Sequence, residues 1–244
     1  MRLSAIWRHP IKGVGRERIA EAMLEAGRAL PEDRVWAVAH DAARLEGGAW
    51  ASCRNFARGA SAPALMAVTL SRAGDRLRLA HPDRPDLVVD PDAEPEAVAR
   101  WIAPLVPDHR ARPVRVVRAT GPAWTDSDFP SISIATTASL RALSDKVGAA
   151  LDPARFRGNL WIDGAAPWEE FDWVGRTLRV GEATLRVEER IVRCKATTAN
   201  PDTGRVDADT LGALEDGWGH REFGVYAVVT GAGRVAEGDA VGPA

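Results

Sequence analysis

One of the two cysteines of this chain lies in a sequence context that favours thiol chemistry. Cys194 follows Arg193 and precedes Lys195, within the segment RIVRCKATTANPDTG. Flanking positive charge favours the thiolate, which is the nucleophilic and the metal-binding form of cysteine. Such a group could act as a soft metal ligand, a nucleophile or a sulfur carrier, and a small buried hydrophobe is the structural alternative. The local chemistry alone leaves these readings open.

The other metal-ligating residue types do not form a recognisable pattern. Cys53, in ASCRNF, has a weaker context, and we interpret it as structural. The two cysteines are far apart and form no CxxC pair, which argues against a zinc site or an iron–sulfur cluster. The five histidines, at positions 9, 40, 81, 109 and 220, contain no HxxxH pair. A metal site built from protein side chains alone is therefore not expected.

Basic residues next to glycine and proline form a second candidate set. Lys12 lies in HPIKGVG, Arg34 in EDRVWAV, and Arg155, Arg157 and Asn159 in RFRGN. Cations at strand ends beside glycines suit an anionic, phosphate-bearing ligand, because the backbone can approach it and a guanidinium can bind two of its oxygens. A single exposed arginine is more often a solvated charge. Neither GxGxxG nor GxxxxGK[ST] occurs, so the common nucleotide-binding loops are excluded.

The elements that must position these residues are mostly short strands. Period-two apolar patterns and turn residues predict strands in RLSAIWRHPI, VWAVAHD, ALMAVTL, RLRLAHP, RPVRVVRA, SISIA and NLWIDG. Helical spacing predicts one helix in PEAVARWIAPLVP and another with an apolar stripe of Leu140, Leu143, Val147 and Leu151, capped by a residue of TTAS. RTLRVGEATLRVEERIVRC predicts a hairpin that turns near Gly181 and ends at Cys194. These elements indicate a β-barrel architecture of the α+β class.

Composition limits the classes of partner. The chain has 244 residues, a net charge of −2, 45% hydrophobic and 27% charged residues. This balance gives no global attraction to nucleic acid or to an anionic membrane. The sequence has no signal-peptide pattern and no apolar run of about 18 residues for a membrane span. With so few cysteines, we expect a reducing, cytoplasmic location, no nucleic-acid partner and no membrane span.

The order of several segments resembles that of MOSC-domain proteins with an N-terminal MOSC β-barrel, a group that includes the mitochondrial amidoxime-reducing component and bacterial reductases of N-hydroxylated bases. The matching segments are IWRHPIKGVG, EDRVWAV, ASCRNF, SISIATTASLRAL, RFRGNLWIDG, RCKATTANPDTG and GHREFGVYAVV. They span nearly the whole chain. The resemblance implies a β-rich α+β fold, with a smaller N-terminal β-barrel domain over residues 1–95 and a MOSC-type β-barrel over residues 96–244.

The resemblance also implies a molybdenum cofactor. Cys194 would supply the protein sulfur to molybdenum, and basic and polar groups would hold the pterin phosphate and rings. The positions that match those groups are Lys12, Arg34, Arg54, Ser139, Arg157 and Asn159. Three positions depart from the family pattern: Gly13 replaces a hydroxyl residue, Gly158 a proline and Asn200 an aspartate.

The activity that the resemblance implies is reductive removal of oxygen from an N-hydroxylated or N-oxide small molecule. Asp126, Asp128 and His220 are candidate proton donors, with a turn acid and a packed histidine as the structural alternatives. Electrons would come from a separate ferredoxin- or flavodoxin-type protein, because the chain lacks the ferredoxin-like extension of some relatives. Two other functions stay open: a persulfide sulfur carrier that uses Cys194, and a non-catalytic carrier of the molybdenum cofactor.

Overall fold

The computed structural model describes residues 1–45, 50–121 and 123–244 and shows a strand-rich α+β protein. Its strands are β1 (Arg2–Arg8), β2 (Ile11–Lys12), β3 (Glu17–Ile19), β4 (Glu21–Leu24), β5 (Trp36–His40), β6 (Thr69–Ala73), β7 (Arg76–His81), β8 (Arg84–Val89), β9 (Pro113–Arg118), β10 (Ile132–Thr136), β11 (Leu160–Asp163), β12 (Thr177–Val180), β13 (Ala183–Val192), β14 (Glu222–Gly231), β15 (Gly233–Ala236) and β16 (Val241–Pro243). Its α-helices are α1 (Pro95–Ile102), α2 (Thr137–Val147) and α3 (Thr210–Trp218). The predicted fold class is confirmed. None of the helices in the described residues is long and apolar enough to cross a bilayer.

The largest sheet has eight strands in the order β16-β12-β13-β14-β10-β11-β1-β3. Only β10 and β11 of the neighbouring pairs run parallel. Side chains alternate between the two faces of a strand, so every second residue can enter the core. On β13 and β14 the alternating buried residues are Ala183, Leu185, Val187, Val225, Ala227 and Val229. This core supports the long strand that ends just before Cys194.

The first strands of the chain belong to this C-terminal sheet system. β1 pairs antiparallel with β11, with Leu3 opposite Ile162 and Ile6 opposite Leu160, and β4 pairs with β15. Conversely, β9 pairs with β5 in a sheet formed mainly by the N-terminal part. The sheets therefore exchange strands across the boundary predicted near residue 95, which stays a prediction.

The second core lies between α1 and two three-stranded sheets, β2-β5-β9 and β6-β7-β8. Helical spacing brings Val98, Ala99, Trp101 and Ile102 of α1 onto one buried face. This smaller unit carries Lys12 at the end of β2 and leads, through the segment after β5, to Cys53.

Local sequence signals account for much of α2 and the β12–β13 hairpin. Thr136 caps α2 by accepting a hydrogen bond at Oγ1 from the Ser139 amide at 3.2 Å. Gly148, with φ of 78°, ends the helix, so Leu151 of the predicted stripe lies beyond it. The hairpin turns at Gly181, as predicted. The sequence patterns did not predict α3.

Candidate functional site

A cavity of about 430 Å³ lies where the two cores meet, and we call it the main cavity. It takes residues from β2, from the segment after β5, from the loop before β10, and from the end of β13. Its charged, phenolic and thiol lining residues are Lys12, Arg34, Cys53, Arg58, Asp126, Arg155, Arg157, Glu189, Arg190, Arg193, Cys194 and Tyr226. The topology thus gathers most of the charged candidates into one concave site.

Cys194 is exposed at the wall of this cavity. It lies two residues beyond the end of β13 and precedes a 3-10 turn, Lys195–Thr198. The Cys194 carbonyl accepts hydrogen bonds from the Thr197 amide at 3.2 Å and from Thr197 Oγ1 at 3.1 Å. The turn therefore fixes the backbone of Cys194 while its thiol faces the cavity.

Lys12 is buried, and its ammonium binds a single loop. Nζ donates to the carbonyls of Trp124 at 2.8 Å and Thr125 at 2.9 Å, and to Oδ1 of Asp126 at 2.6 Å. An ammonium has three donors, so these contacts use all of them. Burial lowers the pKa of Lys12, while the charge of Asp126 opposes that shift.

Asp126 is a charged partner of the cations in the main cavity. Its side chain is 46% exposed, but the surrounding protein limits its hydration. This desolvation alone would raise the carboxyl pKa, and the charges of Lys12 and Arg34 outweigh it and hold the pKa well below its usual range. The carboxylate is therefore ionised at neutral pH, and its resting role is to compensate Lys12 rather than to donate a proton.

Arg34 and Arg157 lie side by side, and only one of them has a carboxylate partner. Arg34 pairs with Asp33, and its Nη2 donates to the carbonyl of Arg157 at 3.3 Å. Arg157 Nη1 donates to the carbonyl of Gly15 at 2.5 Å, and none of the ion pairs in the described residues involves Arg157. Burial, followed by the charge of Arg34, lowers the Arg157 pKa to about 9. A largely uncompensated cation of this kind is suited to an anionic ligand.

Both arginines have left-handed backbone conformations, which are unfavourable for residues with a side chain. φ is 52° at Arg34 and 48° at Arg157. Such strain is held by tertiary contacts and concentrates at ligand sites. The hydrogen bond between the two residues is one such contact.

Gly13 occupies a position that admits no side chain. Its φ is 72°, and an added Cβ would lie 2.6 Å from the carbonyl oxygen of Ala57. The glycine therefore allows the strand end that carries Lys12 to approach the segment before Arg58 closely. This is the physical reason for the first departure from the family pattern.

Four predicted binding or catalytic residues do not line the main cavity. Arg54 is exposed and lines a separate, smaller cavity. Asn159 is buried in the sheet, where its Oδ1 accepts from Ser133 Oγ at 2.8 Å. Ser139 and His220 also lie outside the main cavity. Asp128, a fifth candidate, is exposed and is not among the lining residues.

Ser139 belongs to a buried cluster around Glu170. Ser139 Oγ donates to Glu170 Oε2 at 2.7 Å and accepts from the Trp168 amide at 2.7 Å. His220 packs its ring against Trp168 and Phe171, and its Nδ1 accepts from the Glu222 amide at 3.2 Å. These contacts hold both side chains outside the main cavity, so the structure does not bring them together with Cys194.

Five of these lining residues were missing from the sequence-based set: Cys53, Arg58, Glu189, Arg190 and Tyr226. Cys53 Sγ accepts a hydrogen bond from Arg58 Nη1 at 2.8 Å. Arg58 precedes Gly59, a cation-glycine signal like that of Arg157 and Gly158, and could have been found in the same way. Burial and the charge of Asp126 raise the pKa of Tyr226, so its phenol keeps its proton.

The side chains that line the main cavity fit an anionic cofactor that supplies most of the ligands of its own metal ion. The described residues include no cluster of three His, Cys, Asp or Glu side chains that could hold a metal ion. They offer instead one exposed thiol, a soft ligand, and the uncompensated cation of Arg157 on the same cavity.

Comparison with known sequences identifies two domains. The MOSC domain matches residues 125–242, and the MOSC N-terminal β-barrel domain matches residues 1–101. Over 126 residues the chain is 31% identical to the molybdenum cofactor sulfurase of Anopheles gambiae, a match that covers 47% of this chain and 16% of that protein. Molybdenum cofactor sulfurase 2 of Culex quinquefasciatus is 29% identical over 132 residues, covering 54% of this chain and 13% of that protein. The matched part is thus less than a fifth of these relatives.

The solved structures matched to this chain have low sequence identity to it. The YuaD protein from Bacillus subtilis is 13% identical, with 98% of this chain and 93% of that chain covered and a TM-score of 0.48. YiiM from Escherichia coli is 12% identical, with 100% of this chain and 70% of that chain covered and a TM-score of 0.43. The two domain matches, by contrast, follow one another along most of the sequence and confirm the predicted resemblance. The chain belongs to the MOSC-domain family and carries a MOSC N-terminal β-barrel domain ahead of its MOSC domain.

Proposed function

We propose that the main cavity binds a molybdenum cofactor and that the protein reduces N-hydroxylated or N-oxide small molecules. The observation that carries this proposal is the placement of an exposed thiol, Cys194, and an uncompensated guanidinium, Arg157, on one cavity. A thiolate is a ligand for a soft metal, and a guanidinium binds phosphate oxygens. The two relatives named as molybdenum cofactor sulfurases support the choice of cofactor.

The soft thiol and the cationic side chains would bind different parts of the cofactor. Cys194 would bind the metal, and Arg157 with Arg34 would bind the anionic phosphate. Lys12 would not contact the cofactor itself, because its three donors already bind the 124–126 loop. It would instead hold Asp126 in place at the cavity. When bound, the cofactor supplies the two-electron redox chemistry of the metal.

Loss of oxygen from an N–OH group as water consumes two electrons and two protons, so the site must also handle protons. Tyr226 keeps its phenolic proton and can donate a hydrogen bond into the cavity. Lys12 Nζ donates a hydrogen bond to Oδ1 of Asp126, with 2.6 Å between the nitrogen and the oxygen. Because burial lowers the Lys12 pKa, this ammonium is a stronger acid than a solvated one, while Asp126 stays its ionised partner. Electrons would come from a separate ferredoxin- or flavodoxin-type protein.

Metal and pterin analysis tests the cofactor assignment. We expect stoichiometric molybdenum and pterin in wild-type protein from a host that makes the cofactor, and a marked loss of molybdenum in Cys194→Ser. Cys53→Ser is the matched control, since it removes the other cavity thiol, and it should keep the metal. Wild-type protein without molybdenum or pterin would overturn the assignment.

Loaded protein is then assayed on an aromatic amidoxime with a chemical electron donor, and absence of turnover would leave the non-catalytic cofactor carrier.

The second candidate is a persulfide carrier, and the exposure of the Cys194 thiol favours it. A sulfur carrier needs a thiol that a donor and an acceptor can both reach. Cyanide-labile sulfur on Cys194 in protein without molybdenum or pterin would establish this function in place of the reductase.

A further inference from the structure

A second cavity, of about 170 Å³, adjoins the main cavity. Phe56 and Arg58 line both cavities and form the wall between them. We call this second cavity the arginine pocket and define it by His40, Arg54, Arg58 and Arg110, with Phe56 and Val106 as apolar walls. It lies at the end of β5, between the segment that follows Cys53 and the loop before β9. The proposed cofactor function does not use it.

The charged side chains that line this pocket are arginines. None of its lining residues is acidic. Across residues 1–45, 50–121 and 123–244, none of the ion pairs involves Arg54, Arg58 or Arg110. The acidic groups on the flanking segments are engaged elsewhere: Asp108 pairs with Arg112 at 2.7 Å, and Asp41 accepts the Arg112 amide at 3.1 Å.

Three guanidinium groups around one small cavity repel one another, and an anion between them removes that repulsion. Arg58 is already fixed on one side, because its Nη1 donates to Cys53 Sγ at 2.8 Å. Arg54 and Arg110 are exposed at the opening. The pocket therefore has one anchored cation at its wall and two at its rim, an arrangement that suits a small oxyanion.

His40 adds a polar atom without a partner. Its Nε2 lies 2.7 Å from the carbonyl of Arg54, which can only accept, so Nε2 donates. The other ring nitrogen, Nδ1, is buried and has no hydrogen-bond partner among the described atoms. A buried ring nitrogen left unpaired costs free energy. The His40 ring thus adds a polar group to the pocket wall, beside the three arginines.

The volume agrees with a small ligand. A cavity of about 170 Å³ has room for an anion of a few heavy atoms. We propose that the arginine pocket binds a phosphate group, either as the free ion or as the terminal group of a small organic ligand.

Calorimetric titration of the full chain with inorganic phosphate tests this assignment. Arg54→Gln and Arg110→Gln each remove one guanidinium, and neither side chain makes a hydrogen bond or ion pair in the described structure, so folding should be unaffected. Each substitution should weaken binding about tenfold, because a hydrogen bond to a charged group is lost. Arg115→Gln is the matched control: this arginine is exposed on neighbouring β9 and does not line the pocket. It should bind phosphate like wild type.

The main cavity also contains cations, so its contribution must be separated. Phosphate binding that Arg157→Gln removes belongs to the main cavity, and binding that Arg110→Gln removes belongs to the arginine pocket. Phosphate binding that neither Arg54→Gln nor Arg110→Gln changes, or no binding beyond the component lost in Arg157→Gln, would overturn the proposal. Neither readout depends on molybdenum, so the cofactor assignment can fail while this proposal stands.

The source of the phosphate follows from a second titration with glycerol phosphate. Tighter binding of the inorganic ion identifies a free-ion site, and tighter binding of the ester identifies the phosphate of an organic ligand. Both results support the proposal if Arg110→Gln weakens the binding about tenfold.

Discussion

At the scale of single residues, the structure separates cations with satisfied donors from cations that lack an acidic partner. Lys12 and Arg157 look alike in sequence, since both are basic and adjoin a glycine. Lys12 gives all three donors to the 124–126 loop, whereas Arg157 meets backbone carbonyls and, among the described residues, no carboxylate within ion-pair distance. The partners lie more than a hundred positions away, so local sequence could not reveal the difference.

His9 should make the protein sensitive to mild acid. It is 1% exposed, and burial, followed by the charge of Arg157, lowers its pKa to about 3. In the unfolded chain its pKa is about 6.5, so below that pH the unfolded state binds a proton that the folded state does not. The free energy of unfolding should therefore fall by about 1.4 kcal/mol per pH unit on acidification from about 6.5 toward 3.

Urea unfolding between pH 7.5 and 4.5 measures this slope. His9→Gln should flatten it, and His109→Gln, at an exposed position, should keep it. Asp33 does not contribute to the slope in this pH range. Its pKa is lowered to about 2, so the stability that it adds is lost only below about pH 4, where an ordinary aspartate titrates. An unchanged slope in His9→Gln would show that another group causes the acid sensitivity.

At the scale of elements, α3 holds the turn that carries the cysteine. Thr210, the first residue of α3, shares a hydrogen bond of 2.6 Å with Thr197, and both are buried. Asp209 caps the helix by accepting from the Gly212 amide at 2.9 Å. α3 escaped prediction because it is short and contains Gly212 and Gly217, which weaken any helical pattern in the sequence.

Thr210→Val should loosen this turn. The substitution keeps the shape but removes the hydrogen bond between the two hydroxyls, which costs about 0.5–1.5 kcal/mol of unfolding free energy. Hydrogen exchange of the amides at 195–199 should be faster in this variant than in the wild type. In the double variant with Thr197→Val the loss should be smaller than the sum of the two single losses, because the bond joins the two residues. Strictly additive losses would show that the bond does not couple α3 to the cysteine turn.

At the scale of the whole molecule, strands from the first part of the chain pair with strands from the second part. β1 lies between β11 and β3 inside the eight-stranded sheet, and Leu3 and Ile6 on it are fully buried. The main cavity opens where this sheet system meets the smaller core, so neither half alone contains the site.

A fragment of residues 96–244, cut at the predicted boundary, should not fold to a single structure. It lacks β1, so the edge of β11 and the apolar residues opposite Leu3 and Ile6 would face water. We expect poor dispersion of its amide NMR signals and no cooperative unfolding. The matched control joins residues 1–24 to the fragment through a flexible linker and should regain part of the structure. A fragment that unfolds cooperatively without residues 1–24 would instead establish residue 95 as a true domain boundary.

The sequence by itself determined the strand-rich class, the α2 cap, the β12–β13 hairpin and the family, because those depend on local periodicity, turn residues and ordered motifs. It also singled out Cys194, whose neighbours along the chain are charged. Tertiary structure decided which side chains share the main cavity. It added Arg58 and Tyr226, placed Arg54 in a second pocket, and enclosed Ser139 and Asn159 in hydrogen-bond networks. The reason is physical: burial, charge compensation and hydrogen-bond satisfaction depend on groups far apart in the chain, and only folding brings those groups together.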